Sequence, residues 1–330
     1  MMKSLGYYSV YIFIFLLYIS YHIGGNATFI IPFVTFFIIP ILEIILGEYE
    51  NDNEEYDNNI LNIIEYYIPL WLWVFVQIYS LNYFCADIYK FSFFEFLFFS
   101  ISVGIVNGGI GINVAHDLIH KTNKIEKLLG KILLCSVCYG HFYIEHIWGH
   151  HRNVGTIMDS STAKIDESIY NFIPRSIIDS YKNARNLGLN KNINPIIIYN
   201  CITLSYLILI LFFYGLYACL FIIIQSFFAI LILESVNYIE HYGLVRKEDY
   251  ISIYDSWNTN NKVTNYLTFK LQAHSDHHMN SSKRYYYNIM NVETPTLSTG
   301  YIGSIMMAYI PKLWFSVMNP KIINFNKRNQ

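Results

Sequence analysis

Apolar residues in this chain fall into long, nearly unbroken runs separated by polar segments. A run of ~20 such residues is long enough for a helix to cross the hydrocarbon core of a bilayer. Six runs reach this length, at about 6–24, 28–47, 62–84, 91–114, 196–214 and 216–237. The pattern predicts an all-α integral membrane protein with six transmembrane helices. Because no small-x-small cleavage site follows the first run, we expect a retained helix rather than a signal peptide.

Composition supports the membrane prediction and excludes other classes. The chain is 54% hydrophobic and 14% charged, whereas soluble domains carry roughly a quarter charged residues. A net charge of -2 without a sustained basic face excludes nucleic acid as a partner. The pair Cys135 and Cys138 lies in an apolar run with no second pair, so we interpret both as packing cysteines rather than a zinc or rubredoxin-type site.

The loops between the runs predict the topology. Three of them are short, so the runs form three hairpins, and every Lys and Arg except Lys90 falls on one side. By the positive-inside rule that side is the cytoplasm. We expect one domain over 1–330 in the cell inner (plasma) membrane, in which segments of about 115–195 and 238–330 form a cytoplasmic helical cap.

Histidines are concentrated in these cytoplasmic segments. Of 11 histidines, all except His22 lie between His116 and His278. Spacings of three and four residues place side chains on one face of a helix. This predicts that His116 pairs with His120, and that His146 and His150 share a face with His151 beside them. The candidate metal ligands are His116, His120, His146, His150, His151, His241, His274, His277 and His278.

Nine histidines are too many ligands for one ion, and two metals with open positions fit the number. Imidazole suits several transition metals, and iron is the usual choice where oxygen is activated. A packing or pH-sensing cluster would not need four groups with helical spacing at span ends. The acidic neighbours are predicted to accept the second ring N–H, although any one could be a direct ligand. They are Asp117, Glu145, Glu240 and Asp276.

Four motifs carry a resemblance to a known family. HDLIHK, EHIWGHH, NYIEHYGL and LQAHSDHH resemble the membrane alkane 1-monooxygenases, whose relatives include xylene monooxygenase and the wider fatty acid desaturase and hydroxylase superfamily. The resemblance implies that the same nine histidines are iron ligands and that His141 is a supporting residue. Two positions depart from the family pattern. Asp117 stands where the family has Glu, and Ala273 stands where it has Arg, which removes a fixed cation near the cluster.

The resemblance also implies the reaction and its partners. A non-haem di-iron site with two Fe ions would insert one oxygen atom of O₂ into a terminal C–H bond of an alkane or alkyl chain, giving a primary alcohol. A hydrophobic alkane would reach the site from membrane lipid through an apolar tunnel. Because the sequence has no flavin or nucleotide fingerprint, electrons would come from rubredoxin or a similar small carrier with its reductase. We hypothesise that Arg246, Lys247, Lys283 and Arg284 dock this acidic carrier.

Two other functions stay open at this point. A fatty-acyl desaturase or lipid hydroxylase of the same superfamily also uses clustered histidines, and its third cluster also reads H-x-x-H-H. EHIWGHH and NYIEHYGL favour the alkane family. A non-catalytic metal-binding membrane protein, in which Asp117 and Ala273 mark lost activity, is the alternative from another class.

Overall fold

A computed structural model describes residues 4–49, 60–189, 194–290 and 293–328. Over these residues the regular secondary structure is helical, apart from two isolated β-bridges, Glu48 with Asn261 and Asn258 with Thr296. The predicted all-α class is confirmed.

Six helices are long and apolar enough to cross a membrane, as the sequence predicts. They are α1 Ser4–Ile23, α2 Gly25–Leu46, α3 Ile64–Lys90, α4 Phe93–Ile119, α8 Pro195–Tyr214 and α9 Leu216–His241. Three of them, α3, α4 and α9, continue beyond their predicted ends. The extension of α4 includes His116, and the extension of α9 ends at His241. Candidate ligands therefore belong to the spanning helices themselves.

The remaining helices form the cap. They are α5 Lys124–Ser136, α6 (Phe142–Glu145, a π-helical turn His146–His150 and His151–Asn153), α7 Ile169–Leu187, α10 Lys262–Leu267, α11 His274–Met279, α12 Tyr301–Ala308 and α13 Pro311–Arg328. Helix α5 begins where the Asn123 side chain accepts the backbone N–H of Ile125 at 2.8 Å, an N-cap interaction. Gly215, with φ 84°, separates α8 from α9 in a left-handed conformation that suits glycine.

Helices α4 and α9 are in close backbone contact. A Cβ atom on Gly104 would lie 2.7 Å from the Gln225 carbonyl oxygen, and one on Gly108 would lie 2.6 Å from the Ala229 carbonyl oxygen. Small residues allow such an approach between membrane helices, and polar side chains add hydrogen bonds there. Asn107 Nδ2 donates to Gln225 Oε1 at 2.9 Å. This contact brings the histidine-bearing ends of α4 and α9 to the same end of the bundle.

The outward faces of the spanning helices are apolar. Phe212 and Phe213 at the end of α8 are 78% and 69% exposed, and Phe227 on α9 is 58% exposed. Large contiguous apolar surface of this kind is unfavourable in water. Together with the six apolar helices, it indicates an integral membrane protein.

Candidate metal centre

All nine predicted histidines meet at the cap end of the bundle, in two groups. Within each group the candidate ligand atoms lie within 4.8 Å of one another. The first group contains His116, His120, His146, His151 and His277, and the second contains His150, His241, His274 and His278. Among the described residues, His22 and His141 belong to neither group.

The spacing of the ring nitrogens fits a shared ion. The Nε2 atoms of His146 and His120 are 3.0 Å apart, and those of His151 and His146 are 3.1 Å apart. In the second group, the His278 Nε2 lies 3.0 Å from that of His274. Imidazole nitrogens bind transition metals at about 2.1 Å, so adjacent ligands lie about 3 Å apart. The buried His116 Nε2 has no hydrogen-bond partner, as expected of an atom that faces a metal position.

The π-helical turn in α6 determines how its three histidines divide between the groups. The sequence predicts that His146 and His150 share a helix face, and their rings stack with centroids 5.2 Å apart. The turn His146–His150 is π-helical, and each turn of such a helix holds more residues than an α-helical turn. His151 therefore joins His146 in the first group, while His150 faces the second group. A second π-helical turn, Asn107–Gly111, lies within α4.

Helix α11 also divides its histidines between the groups. His274 and His278, four residues apart, lie in the second group, and His277 faces the first. His116 and His120 lie together in the first group, as their spacing predicts.

Deep burial keeps most of these rings neutral. Burial, reinforced by the neighbouring rings, holds the pKa of the cap histidines well below the ordinary histidine value. This applies to His120, His146, His151, His274, His277 and His278. A neutral imidazole has a free lone pair, which is the form that binds a metal ion.

Asp159 is a supporting residue that the sequence analysis missed. Its two carboxylate oxygens lie 3.0 and 3.1 Å from His150 Nδ1. Burial by itself lowers the pKa of His150, but the Asp159 charge and hydrogen bond raise it above the ordinary value. An N–H donated to Asp159 leaves the His150 Nε2 facing the second group. Asp159 follows His150 by nine positions in a loop, so no helical spacing signals the pair.

The four acidic neighbours singled out by sequence have different surroundings. Asp117 pairs with Lys121 at 2.8 Å, and Asp276 pairs with Lys283 at 2.6 Å. Glu145 accepts a hydrogen bond from Ser160 at 2.8 Å. Glu240 Oε2 lies 3.2 Å from His274 Nε2, and its other oxygen accepts from Tyr301. Glu240 therefore contacts a candidate ligand nitrogen directly.

Burial also shifts the pKa of two ionisable groups beside the cluster, Glu145 and His141. Burial, with a contribution from the Asp159 charge, raises the pKa of Glu145 to about 7. His141 packs edge-on against Tyr139 and Tyr181, and its buried Nε2 has no hydrogen-bond partner. Burial lowers the pKa of His141 to about 4. It lies outside both groups, so its supporting role stays a prediction.

Two of the four basic residues hypothesised to dock a carrier are paired with carboxylates. Lys283 is paired with Asp276. Arg284 makes two hydrogen bonds to the Glu126 carboxylate, at 2.7 and 2.8 Å. Docking of a carrier at the four residues stays a prediction.

A mainly apolar cavity leads away from the histidines. One end is lined by His116, His146, His274 and Glu240. It adjoins a second cavity that reaches Phe13 of α1 and Phe36 of α2, and Ile232, Ile302 and Ile305 line both. The two neighbouring cavities lie between the cluster and the interior of the spanning helices, the region where the resemblance implied a tunnel.

Comparisons with known proteins agree with this arrangement. The fatty acid desaturase family profile matches residues 92–289. The chain is 35% identical over 319 residues to alkane 1-monooxygenase 2 of Alcanivorax borkumensis, covering 90% of this chain and 82% of the relative. It is also 35% identical over 311 residues to an alkane 1-monooxygenase of Pseudomonas putida, covering 87% and 76%. Identity to a xylene/toluene monooxygenase hydroxylase component of Pseudomonas putida is 27% over 243 residues, covering 69% and 65%. The chain belongs to the alkane 1-monooxygenase family, within the larger family of fatty acid desaturases.

Proposed function

We propose that this protein is a membrane di-iron monooxygenase that converts a terminal C–H bond of an alkane or alkyl chain into a primary alcohol. The observation that carries the proposal is the position of two histidine groups at the end of an apolar cavity between spanning helices. The names of its relatives, alkane 1-monooxygenases, support the same reaction.

Two iron ions are the proposed occupants of the site. The first would be held by His116, His120, His146, His151 and His277, and the second by His150, His241, His274 and His278. Glu240, 3.2 Å from His274 Nε2, is the carboxylate best placed to complete the second set. Iron would supply the reduction of O₂ and the removal of a hydrogen atom from carbon, chemistry that side chains alone lack.

The chain's own residues would position the substrate and exclude water. An alkane has no group for hydrogen bonding, so only shape and apolar burial can orient it. Ile232, Ile302 and Ile305 would hold the chain so that its end points toward the histidines. The balanced reaction is RH + O₂ + two electrons + two protons giving ROH + H₂O.

Electrons would come from a separate carrier such as rubredoxin with its reductase. Of the nine histidines, His120 and His151 alone are partly exposed and the other seven are buried. The edge of the first group is therefore the natural point of electron entry. Because nearly all Lys and Arg residues lie on the cap side, we place that side in the cytoplasm and the spans in the inner membrane.

The test is product analysis with a complete electron supply. The protein is co-expressed with rubredoxin and its reductase, and alkanes of graded length are screened for primary alcohol by mass spectrometry. We expect alcohol from wild type and none from H274A or H277A, each of which removes one ligand from a different group. An alkene formed from an acyl chain would identify a desaturase instead. Iron-loaded protein that consumes no O₂ with any hydrocarbon would point to a non-catalytic metal-binding protein.

A further inference from the structure

A large groove lies between α3, α5, α6 and α8, and no candidate metal ligand lines it. It has a volume of about 700 Å³, and its walls include Ile78, Ile132, Ile198, Ile202 and Tyr206. It extends along α8 from Pro195 to Tyr206, about 16 Å at the rise of an α-helix. Its deep end therefore lies within the spanning helices, and its mouth lies where α8 begins beside the cap.

One basic side chain lines this mainly apolar groove. Lys131 lines it, and its Nζ lies 4.1 Å from the centroid of the Tyr143 ring. Within the described part of the chain, no carboxylate forms an ion pair with Lys131, whereas Lys121, Lys182 and Lys283 each have one. Burial, with the nearby Lys127 charge, lowers the pKa of Lys131. A partly buried cation without a counter-ion is costly, so an anion at this position would be favourable.

The aromatic residues match the depth of a bilayer interface. Trp148 lines the groove and is 41% exposed, and Tyr143 and Tyr199 line it nearby. Trp and Tyr are typical of the headgroup region, and basic pockets between spanning helices bind anionic lipid headgroups.

We propose that this groove binds one anionic phospholipid, with its phosphate at Lys131 and an acyl chain along Ile198 and Ile202 toward Tyr206. The charge favours an anionic lipid over a zwitterionic one, and the mainly apolar walls along a spanning helix favour an acyl chain. Tyr143, Ile144 and Trp148 belong to α6, the helix that carries His146, His150 and His151. A bound lipid would therefore hold the outer face of α6 in place.

Trp148 provides a direct readout of occupancy. The full-length protein is reconstituted into phosphatidylcholine vesicles that contain rising mole fractions of brominated phosphatidylglycerol, or of brominated phosphatidylcholine as the neutral comparison. Bromine quenches tryptophan fluorescence at contact distance, and subtraction of a W148F variant isolates the Trp148 signal. We expect half-maximal quenching at a clearly lower mole fraction of phosphatidylglycerol than of phosphatidylcholine.

Two variants and one control decide the proposal. K131Q should raise the mole fraction of phosphatidylglycerol needed for half-maximal quenching by about fivefold, the effect of one interfacial cation. I198F, which fills the groove and leaves Lys131 in place, should weaken quenching by both lipids. K182Q, a charge change on the exposed face of α7, should match wild type. Thermal unfolding checks that each variant is folded.

Three outcomes would overturn the proposal. Equal quenching by the two lipids in wild type would mean that the groove takes ordinary surrounding lipid. An unchanged lipid preference in K131Q would remove Lys131 as the headgroup site. Protection of Trp148 from both lipids would mean that a second copy of the chain or another protein covers the groove. None of these measurements depends on iron or on the proposed reaction.

Discussion

The Asp159 carboxylate holds the His150 ring by its outer nitrogen, Nδ1, at 3.0 Å. Thr162 Oγ1 donates to the same carboxylate at 2.6 Å, and the Ser161 backbone N–H donates at 3.1 Å. The carboxylate is therefore itself held in place. Residues that orient a ligand ring in this way tune metal affinity without touching the metal.

Replacing Asp159 by Asn should weaken metal binding at the second group. The amide keeps the shape but removes the charge that supports the His150 ring, and loss of such a partner typically lowers metal affinity about 10–100-fold. Iron content after titration with a chelator, measured by elemental mass spectrometry, checks this. D179N, on the exposed side of α7, is the control. Wild-type iron retention in D159N would contradict the role given to Asp159.

At this scale the sequence identifies the histidines better than their partners. Seven of the nine candidate ligands have another histidine three or four residues away, the spacing that places rings together on a helix, whereas His151 and His241 do not. Asp159 was not predictable, because a loop sets its distance from His150. The partners of Asp117 and Asp276 were also missed. Lys121 lies four residues after Asp117, a spacing that allows an ion pair on a helix, whereas Lys283 lies beyond the end of α11, where no helical spacing signals the pair with Asp276.

At the scale of helices, two π-helical turns set the geometry of the centre. One lies in α4, shortly before His116, and the other carries His146 and His150. The spans and their hairpins follow from hydrophobic length, and the structure has them in the predicted number. A π-helical turn has no such signature, because the one extra residue is accommodated by packing around it. This is why the spacing of His146 and His150 does not by itself predict that they divide between the two groups.

Adjacent glycines in the α4 turn should respond differently to alanine. A Cβ on Gly108 would lie 2.6 Å from the Ala229 carbonyl oxygen, whereas one on Gly109 would meet no atom within 4 Å. G108A should therefore separate α4 from α9 and cost about 1–3 kcal/mol, the usual range for overpacking. Thermal unfolding in detergent measures this.

The matched variant G109A should leave stability near wild type. Gly109 lines both adjoining cavities, so the added methyl group should narrow the substrate path and shift the preference toward shorter alkanes. Equal unfolding temperatures for G108A and G109A would show that the α4 and α9 contact tolerates a side chain.

At the scale of the whole molecule, the uneven distribution of Lys and Arg predicts which side of the membrane the cap faces. Single cysteines are introduced at Lys164, exposed on the cap, and at Tyr89, 55% exposed at the far end of α3. With a membrane-impermeant maleimide, we expect K164C to be labelled only from the cytoplasmic side and Y89C only from the opposite side. The unmodified protein controls for its own cysteines. The reverse pattern would place the histidines outside the cell membrane.

Sequence neighbours His150 and His151 face different groups, and so do His277 and His278. Consecutive Cα atoms are held about 3.8 Å apart by a planar peptide unit. Each pair therefore links the two histidine groups through the backbone. The two pairs come from α6 and α11, which are far apart in the chain. When the bilayer changes thickness, the spanning helices can bend or tilt and move both histidine groups together. The backbone links keep the two groups from separating.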